Sequence, residues 1–294
     1  MSGTLRDRFT AVSAVLRRTP EMQPVSVMRG IGFAAQWYGL KRRLLRRRIR
    51  RSPLDARFDW VTTDDYAVAW PRAASLYPLE SDVLQLQAPT NGHYYYGLAT
   101  VRPGDHVLDV GACEGTFALD AIHRGAVLAY CIEPYPLMAD ALRLTAARHG
   151  LTDRLLVRDI ALSDNDGPVH FLTNPDNPTT GLLAAHATGQ ESPTAETRRV
   201  EALSLDVWAE REDLARLDFV KIDAEGADAA IIRGGRETLR RFHPDIAVTT
   251  YHAVDHCREI SEELRALGYR LHVRGCAVFD GIARPMIVQA STRN

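Results

Sequence analysis

The sequence predicts an α/β fold in which a mostly parallel sheet is built from β-α units, with a basic helical appendage ahead of it. From about residue 100 onward, apolar runs alternate with helical patterns, as successive β-α units require. The first of those runs closes on a glycine-bearing turn in "HVLDVGACEGTFALD", residues 106–120. Residues 1–80 lack this rhythm; they are basic, with scattered Trp and Pro.

"HVLDVGA" reads as the first strand, buried on both faces because its apolar character is nearly continuous. "GTFALDAIHRG" follows as a helix, with Phe117, Leu119 and Ile122 apolar and Gly125 as its stop. "AVLAYCIEP" is the second strand and ends at Glu133, since Pro134 has no N–H to continue a ladder. In "PLMADALRLTAARHG", Leu137, Ala141, Leu144 and Ala147 recur at helical spacing before Gly150. "RLLVRDIAL" is the third strand. "SDNDGPVHFLTN" then reads as a turn and a short extra strand, followed by a stretch over 174–196 too polar for a core. The rhythm resumes with "LDFVKIDAEG", "ADAAIIRGGRETLRRF", "DIAVTTYH" and the helix "DHCREISEELRALG", and ends in two strands near "YRLHVRG" and "RPMIVQAS". Two units are expected: a helical appendage over 1–80 and the main α/β domain over 81–294.

The chain has 294 residues, 46% hydrophobic and 25% charged, which suits one large soluble α/β domain with an appendage. No run of 18 apolar residues appears, so no membrane span is expected. "MSGTLRDRFTAVSAVLRRTPEM" lacks the apolar core of a signal peptide. Cys113, Cys131, Cys257 and Cys276 form no CxxC pair, so reduced thiols and a cytoplasmic location are expected. The net charge of −1 hides an asymmetry: "KRRLLRRRIRR", residues 41–51, holds eight basic residues and no acid, leaving −9 for the rest. Trp37, Leu40, Leu44, Leu45 and Ile49 fall at helical spacings among the arginines, up to Pro53. Such a helix lies peripherally on an anionic membrane, holds a carrier, docks on its own domain, or joins two copies in a homo-oligomer. A specific nucleic-acid partner is not expected, because no aromatic-interleaved basic patch follows.

The glycine turn narrows the ligand. Counting from Gly111, the G-x-G-x-x-G positions hold Gly111, Cys113 and Thr116, one glycine of three, which argues against a nicotinamide cofactor. No Lys follows Gly115, so this is not a Walker A loop. Asp109, Gly111, Ala112 and Gly115 fit S-adenosylmethionine better: it has no pyrophosphate, its ammonium suits an acid, and its carboxylate suits backbone N–H groups. Glu133, 18 residues past Gly115 at the second strand's tip, is placed to accept from two ribose hydroxyls. Capping or solvent-facing roles are the bland alternative for both acids.

In "FVKIDAEGAD", Lys221 and Asp223 share one face of a strand, with Asp223 at the C-terminal end that faces the crevice of an open sheet. A Lys inside an apolar strand needs a partner, and a nearby carboxylate is the simplest one. Asp223 and Glu225 either cap the next helix or supply oxygens to a divalent metal such as Mg²⁺. His252 ends the following strand in "TTYHAVDHC" and is a structural hydrogen-bonder or a catalyst; with His256 it can share a metal with Asp223 or Glu225. "TNGHYYYGL" puts Tyr94, Tyr95 and Tyr96 before the first strand, where they cover a cofactor, line an acceptor pocket or pack on the sheet.

"LDVGACEGTF", "CIEP", "IALSDNDG", "VKIDAEGAD…IIRGG" and "VTTYH…D", in that order, resemble the FkbM family of S-adenosylmethionine-dependent methyltransferases over roughly residues 85–290. The resemblance implies a Rossmann-like, mostly parallel seven-stranded sheet with helices on both faces and an antiparallel strand near its C-terminus. It implies methyl transfer to a hydroxyl of a sugar, glycan, polyketide or other secondary metabolite. It carries cofactor roles onto Asp109, Gly111, Gly115 and Glu133, and adenine contact onto Asp159 to Ala161. Two positions depart: Thr250 stands where many members have Glu, and Asp228 stands for the usual Glu.

An activated methyl leaves three tasks to a protein: hold the carbon about 3 Å from the acceptor oxygen, exclude water, and remove the proton. His252 is the expected base, worth on the order of 10²–10⁴-fold, with Asp223 orienting it and Lys221 keeping Asp223 ionised. The alternatives are a catalytically silent cofactor-binding scaffold acting through its basic helix, or an NAD-type oxidoreductase.

Overall fold

A computed structural model describes residues 5–19, 22, 23, 25, 43–63, 66–86, 95–174, 177–186, 195–279 and 281–293. In chain order these form α1 (Leu5–Arg17), β1 (Arg50–Pro53), β2 (Phe58–Thr62), β3 (Ala67–Pro71), α2 (Tyr77–Leu86), β4 (His106–Val110), α3 (Thr116–His123), β5 (Leu128–Ile132), α4 (Pro136–Arg148), β6 (Leu155–Arg158), β7 (Ala161–Ser163), β8 (Gly167–Thr173) and β9 (Leu182–Leu183). There follow β10 (Glu196–Ser204), α5 (Leu205–Arg211), β11 (Phe219–Ile222), α6 (Asp228–Arg233), α7 (Arg236–Phe242), β12 (Asp245–Thr249), α8 (His256–Ala266), β13 (Arg270–Phe279) and β14 (Ile282–Ser291).

The main sheet has seven strands in the order β6-β5-β4-β11-β12-β14-β13. Every neighbouring pair from β6 to β12 is parallel, and β14 runs against both β12 and β13. Strands β4, β11 and β12 are almost wholly buried, so their apolar runs, interrupted by Asp109 in β4 and Lys221 in β11, match burial on both faces. The chain leaves β4 toward β5 and β6, then returns to β4's other side as β11. That reversal leaves a crevice above the C-terminal ends of β4 and β11.

Three parts of the sequence reading change. The third strand is cut in two: β6 stays in the main sheet, whereas β7 joins a second sheet of order β7-β10-β8-β9. The hairpin that inserts here brings its own edge, and β7 pairs with β10 in parallel register. The N-terminal part is not simply helical, because β1, β2 and β3 form a three-stranded antiparallel sheet. The helix α2 runs across residue 80. Within the basic run, residues 43–46 make one helical turn and Arg50 already begins a strand. Two of its arginines are engaged inside the chain, Arg46 with Glu80 and Arg51 with Asp59, each at 2.6 Å. Trp37, Leu40 and Tyr94 lie outside the described residues. Among the described residues no helix is long and apolar enough to cross a membrane.

The N-terminal sheet lies on α4. Phe58 and Ala69 pack with Ala141, and the buried Ala69 N–H donates to Thr145 Oγ1 at 2.9 Å. Thr145→Val keeps the shape and removes that acceptor, so urea unfolding is expected to show a loss of about 1–3 kcal/mol.

Candidate active site

A cleft opens at the crevice, the place where open α/β sheets take their ligands. Its walls are Val110, Gly111 and Cys113 after β4, Ile132, Glu133 and Pro134 after β5, and Asp223, Ala224 and Glu225 after β11. The second sheet closes one side with Ala161, Leu162, Phe171 and Leu183.

Gly111 has φ +72°, and a Cβ there would meet Asp223 O at 1.9 Å. Only glycine lets β4 turn this close to the end of β11. Gly115, at φ +91°, starts α3 against Leu142, whose Cδ1 a Cβ would approach to 2.1 Å. Gly115 and Ala112 serve the turn rather than the cleft wall, and Ala112 is buried. The N–H groups of Gly111 and Ala112 both donate to Ile132 O at 3.1 Å, so these two are spent on the sheet and do not await a ligand carboxylate.

Glu133 is held by the same turn. Its Oε2 accepts from Cys113 N at 2.9 Å and its Oε1 from Tyr135 N at 2.8 Å. Each carboxylate oxygen keeps a further lone pair. Burial pushes Glu133 up to about 7, with the two backbone N–H groups opposing.

Lys221 and Asp109 sit opposite each other on β11 and β4. Lys221 Nζ is 3.0 Å from Asp109 Oδ1 and also donates to Val110 O at 3.2 Å and Gly111 O at 2.7 Å. Burial disfavours the ammonium, but Asp109 and Asp223 outweigh it and raise Lys221; burial likewise raises Asp109, against Lys221. Asp109 was expected to balance a cofactor ammonium. It lies inside the sheet with its charge already matched, away from the cleft wall. Lys221 was expected to pair with Asp223; cross-strand register gives it Asp109 instead.

Tyr95 O–H donates to Asp223 Oδ2 at 2.9 Å, and its ring stands edge-on to Phe117. Tyr95 thus holds an acid of the cleft, while Tyr96 packs on Phe117 and Phe219. Ala161 lines the cleft. Asp159 does not: it is 40% exposed and pairs with Arg143.

Asp223 and Glu225 line the cleft, and His252 adjoins them. His252 Nδ1 is 3.0 Å from Asp228 Oδ2, and its Nε2 lies 3.6 Å from both Asp223 Oδ1 and Glu225 Oε2. Glu225 reaches the cleft from a left-handed turn, φ +47°, followed by Gly226. Asp228 is fully buried and also accepts from Ala224 N at 3.0 Å and Gly226 N at 3.1 Å. Burial opposes ionisation of Asp228, but His252 and these donors outweigh it and hold its carboxyl far below the usual range. Burial also disfavours a charged His252, yet Asp228, Glu225 and Asp223 raise it to about 10. The three carboxylates thus favour the protonated ring, a pull that works against the expected role of His252 as a base. Burial raises Glu225 to about 7, partly opposed by His252. His256 lies further out, 3.8 Å from Asp228 Oδ2.

Sequence reading passed over Asp228 as a functional group and missed Phe171 and Leu183. An acid at the first position of a helix, three residues after Glu225, is a signal for Asp228. Phe171 and Leu183 reach the cleft only through the second sheet.

The sheet order, its single reversed strand and the acid after the second strand define an α/β methyltransferase fold. The family model "Methyltransferase FkbM domain" matches residues 109–271, and the chain belongs to that family. It is 28% identical over 158 residues to the 2-O-methyltransferase NoeI of Sinorhizobium fredii (strain NBRC 101917 / NGR234), covering 48% of this chain and 61% of that protein. It is 31% identical over 186 residues to the 31-O-demethyl-FK506 methyltransferase FkbM of Streptomyces tacrolimicus, covering 53% of this chain and 68% of that one. The chain thus spans under two thirds of the length of the first relative. The crystal structure of a methyltransferase FkbM from Methylobacillus flagellatus KT superposes with a TM-score of 0.46 at 15% identity, over 64% of this chain and 43% of that one.

Lys221→Met leaves Asp109 buried without its counter-charge, so urea unfolding is expected to show a loss of about 3–5 kcal/mol, largely recovered by adding Asp109→Leu. Because the folded-state value of Glu133 is raised from 4.5 to about 7, its contribution is fully present below 4.5 and lost as pH rises through 7. Between about pH 4 and pH 8, urea unfolding of the ligand-free protein is expected to shift by about 3 kcal/mol in favour of Glu133→Gln.

Proposed function

We propose that this protein moves a methyl group from S-adenosylmethionine to a hydroxyl of a small molecule, of the sugar, glycan or secondary-metabolite kind. The observation that carries the reading is one cleft lined both by a pre-oriented acid, Glu133, and by two further acids, Asp223 and Glu225, with His252 Nε2 3.6 Å from each of the latter. The oxygen acceptors in the names of the two relatives support the choice of a hydroxyl.

The residues present suit the cofactor. Glu133 offers a lone pair on each oxygen to a ribose diol, and Ile132, Pro134, Ala161 and Leu162 make an apolar bed for a purine. When bound, S-adenosylmethionine supplies a methyl group already activated on a sulfonium. The second sheet's Phe171 and Leu183 cover the cleft and keep water from it. Asp223, its Oδ2 held by Tyr95 and its Oδ1 3.0 Å from Thr249 Oγ1, orients the acceptor hydroxyl. Glu225 takes the proton: at about 7 it is half ionised at neutral pH, the range in which a carboxylate serves best as a base. His252, anchored by Asp228, faces the two carboxylates through its Nε2. Lys221 acts at one remove by setting the height of the Gly111 turn.

Calorimetric titration with S-adenosylmethionine and with NAD tests the cofactor. Micromolar binding of S-adenosylmethionine alone, lost in Glu133→Ala, is expected; binding of neither by folded protein would sink the reading. With an accepted alcohol in hand, Glu225→Gln is expected to lower kcat about 10²–10⁴-fold while leaving the affinity for S-adenosylmethionine within a few-fold.

A further inference from the structure

Three electron-rich atoms face one another at the cleft floor. The His252 side chain is 8% exposed, and because Nδ1 is turned to Asp228, its Nε2 is the nitrogen that faces Asp223 and Glu225, two residues of the cleft wall. Nε2 has no hydrogen-bond partner among the described residues. The 3.6 Å to Asp223 Oδ1 and to Glu225 Oε2 is too long for a hydrogen bond. It matches the spacing of atoms that share an ion: donors about 2.0–2.2 Å from a metal lie roughly 3.0–3.6 Å apart in octahedral or tetrahedral arrangements. All three atoms lie within 4.8 Å of one another.

We propose that His252 Nε2, Asp223 Oδ1 and Glu225 Oε2 form a divalent-cation site at the floor of the cleft, with Asp228 as the carboxylate that positions the histidine. The oxygens of Asp228 are taken by Ala224 N, Gly226 N, Thr249 and His252 Nδ1, so it orients the imidazole and does not compete for the ion. A carboxylate behind the far nitrogen is the usual support of a metal-bound histidine, because it fixes ring orientation and leaves the near nitrogen as the lone pair. One imidazole nitrogen and two carboxylate oxygens suit a first-row divalent ion such as Mn²⁺, Co²⁺ or Zn²⁺ better than Ca²⁺, which takes oxygens. Three protein atoms on one side leave the opposite positions open to the cleft. The role of such an ion rests on the methyl-transfer reading: it would hold the acceptor hydroxyl and lower its pKa. Glu225, ligating through Oε2, keeps Oε1 to receive the proton.

The test uses full-length protein stripped of metal with a chelator and titrated with Co²⁺, read by visible ligand-field absorption and by equilibrium dialysis. One Co²⁺ per chain is expected, with affinity lowered at least about 100-fold in Glu225→Gln and His252→Ala, and about 10–100-fold in Asp228→Asn. Circular dichroism confirms which variants fold; Glu225→Gln alters a side chain 31% exposed at the cleft and decides the matter if the His252 variant does not. No stoichiometric Co²⁺ binding, or binding unchanged in folded Glu225→Gln, overturns the proposal. Calorimetry with S-adenosylmethionine on the same stripped protein separates the two readings. Cofactor binding without Co²⁺ binding removes the metal site alone, and the reverse removes the cofactor reading alone.

Discussion

The ion pair between Lys221 and Asp109 is the constraint on which the site depends. It sits inside the sheet, between the two strands where the topology reverses. Burying both charges is costly, and the cost is offset only by close geometry and further hydrogen bonds. Lys221 meets that condition through the carbonyls of Val110 and Gly111, the last groups of β4 before the turn. This ties the tip of β4 to β11 and sets Gly111 against the backbone of Asp223. Cys113, two residues further on, then delivers its N–H to Glu133. One buried pair thus aligns acids from two strand ends, Glu133 after β5 and Asp223 after β11.

Beyond that pair, the cleft sorts chemically similar groups by environment. Asp228 and Glu225 stand three residues apart, yet burial pushes Glu225 up to about 7 while His252 and three other donors keep Asp228 ionised. Pushing the values of neighbouring acids apart is how a site separates a structural anion from a proton carrier. His252 is defined by its position between them: Asp228 fixes one nitrogen, and the other faces carboxylates it does not reach by hydrogen bonding.

The N-terminal sheet contributes from a distance. Ala69 on β3 is bonded to Thr145 on α4, and Leu142 on the same helix packs beneath Gly115, where the glycine turn enters α3. A sheet that braces α4 therefore bears on the turn. Arg46 and Arg51, part of the run that suggested an external partner, are committed to Glu80 and Asp59 within the chain.

What the sequence by itself determined is the order of elements, the glycine turn and the acids and histidine at strand ends. Side-chain period and chain direction are local properties, and in a parallel sheet they deliver Glu133, Asp223 and His252 to one crevice. The motif spacing also carried the family. Only the tertiary structure decided the partner of Lys221, which is Asp109 across the sheet, 112 positions away in the chain, and not Asp223 beside it. It alone decided that β7 leaves the main sheet and that Phe171 wall the cleft, since both follow from pairing with β10 and β9. The charge on His252 was equally out of reach, because it is a sum over three carboxylates and their burial. Such quantities are set through space, and a sequence records neighbours only along the chain.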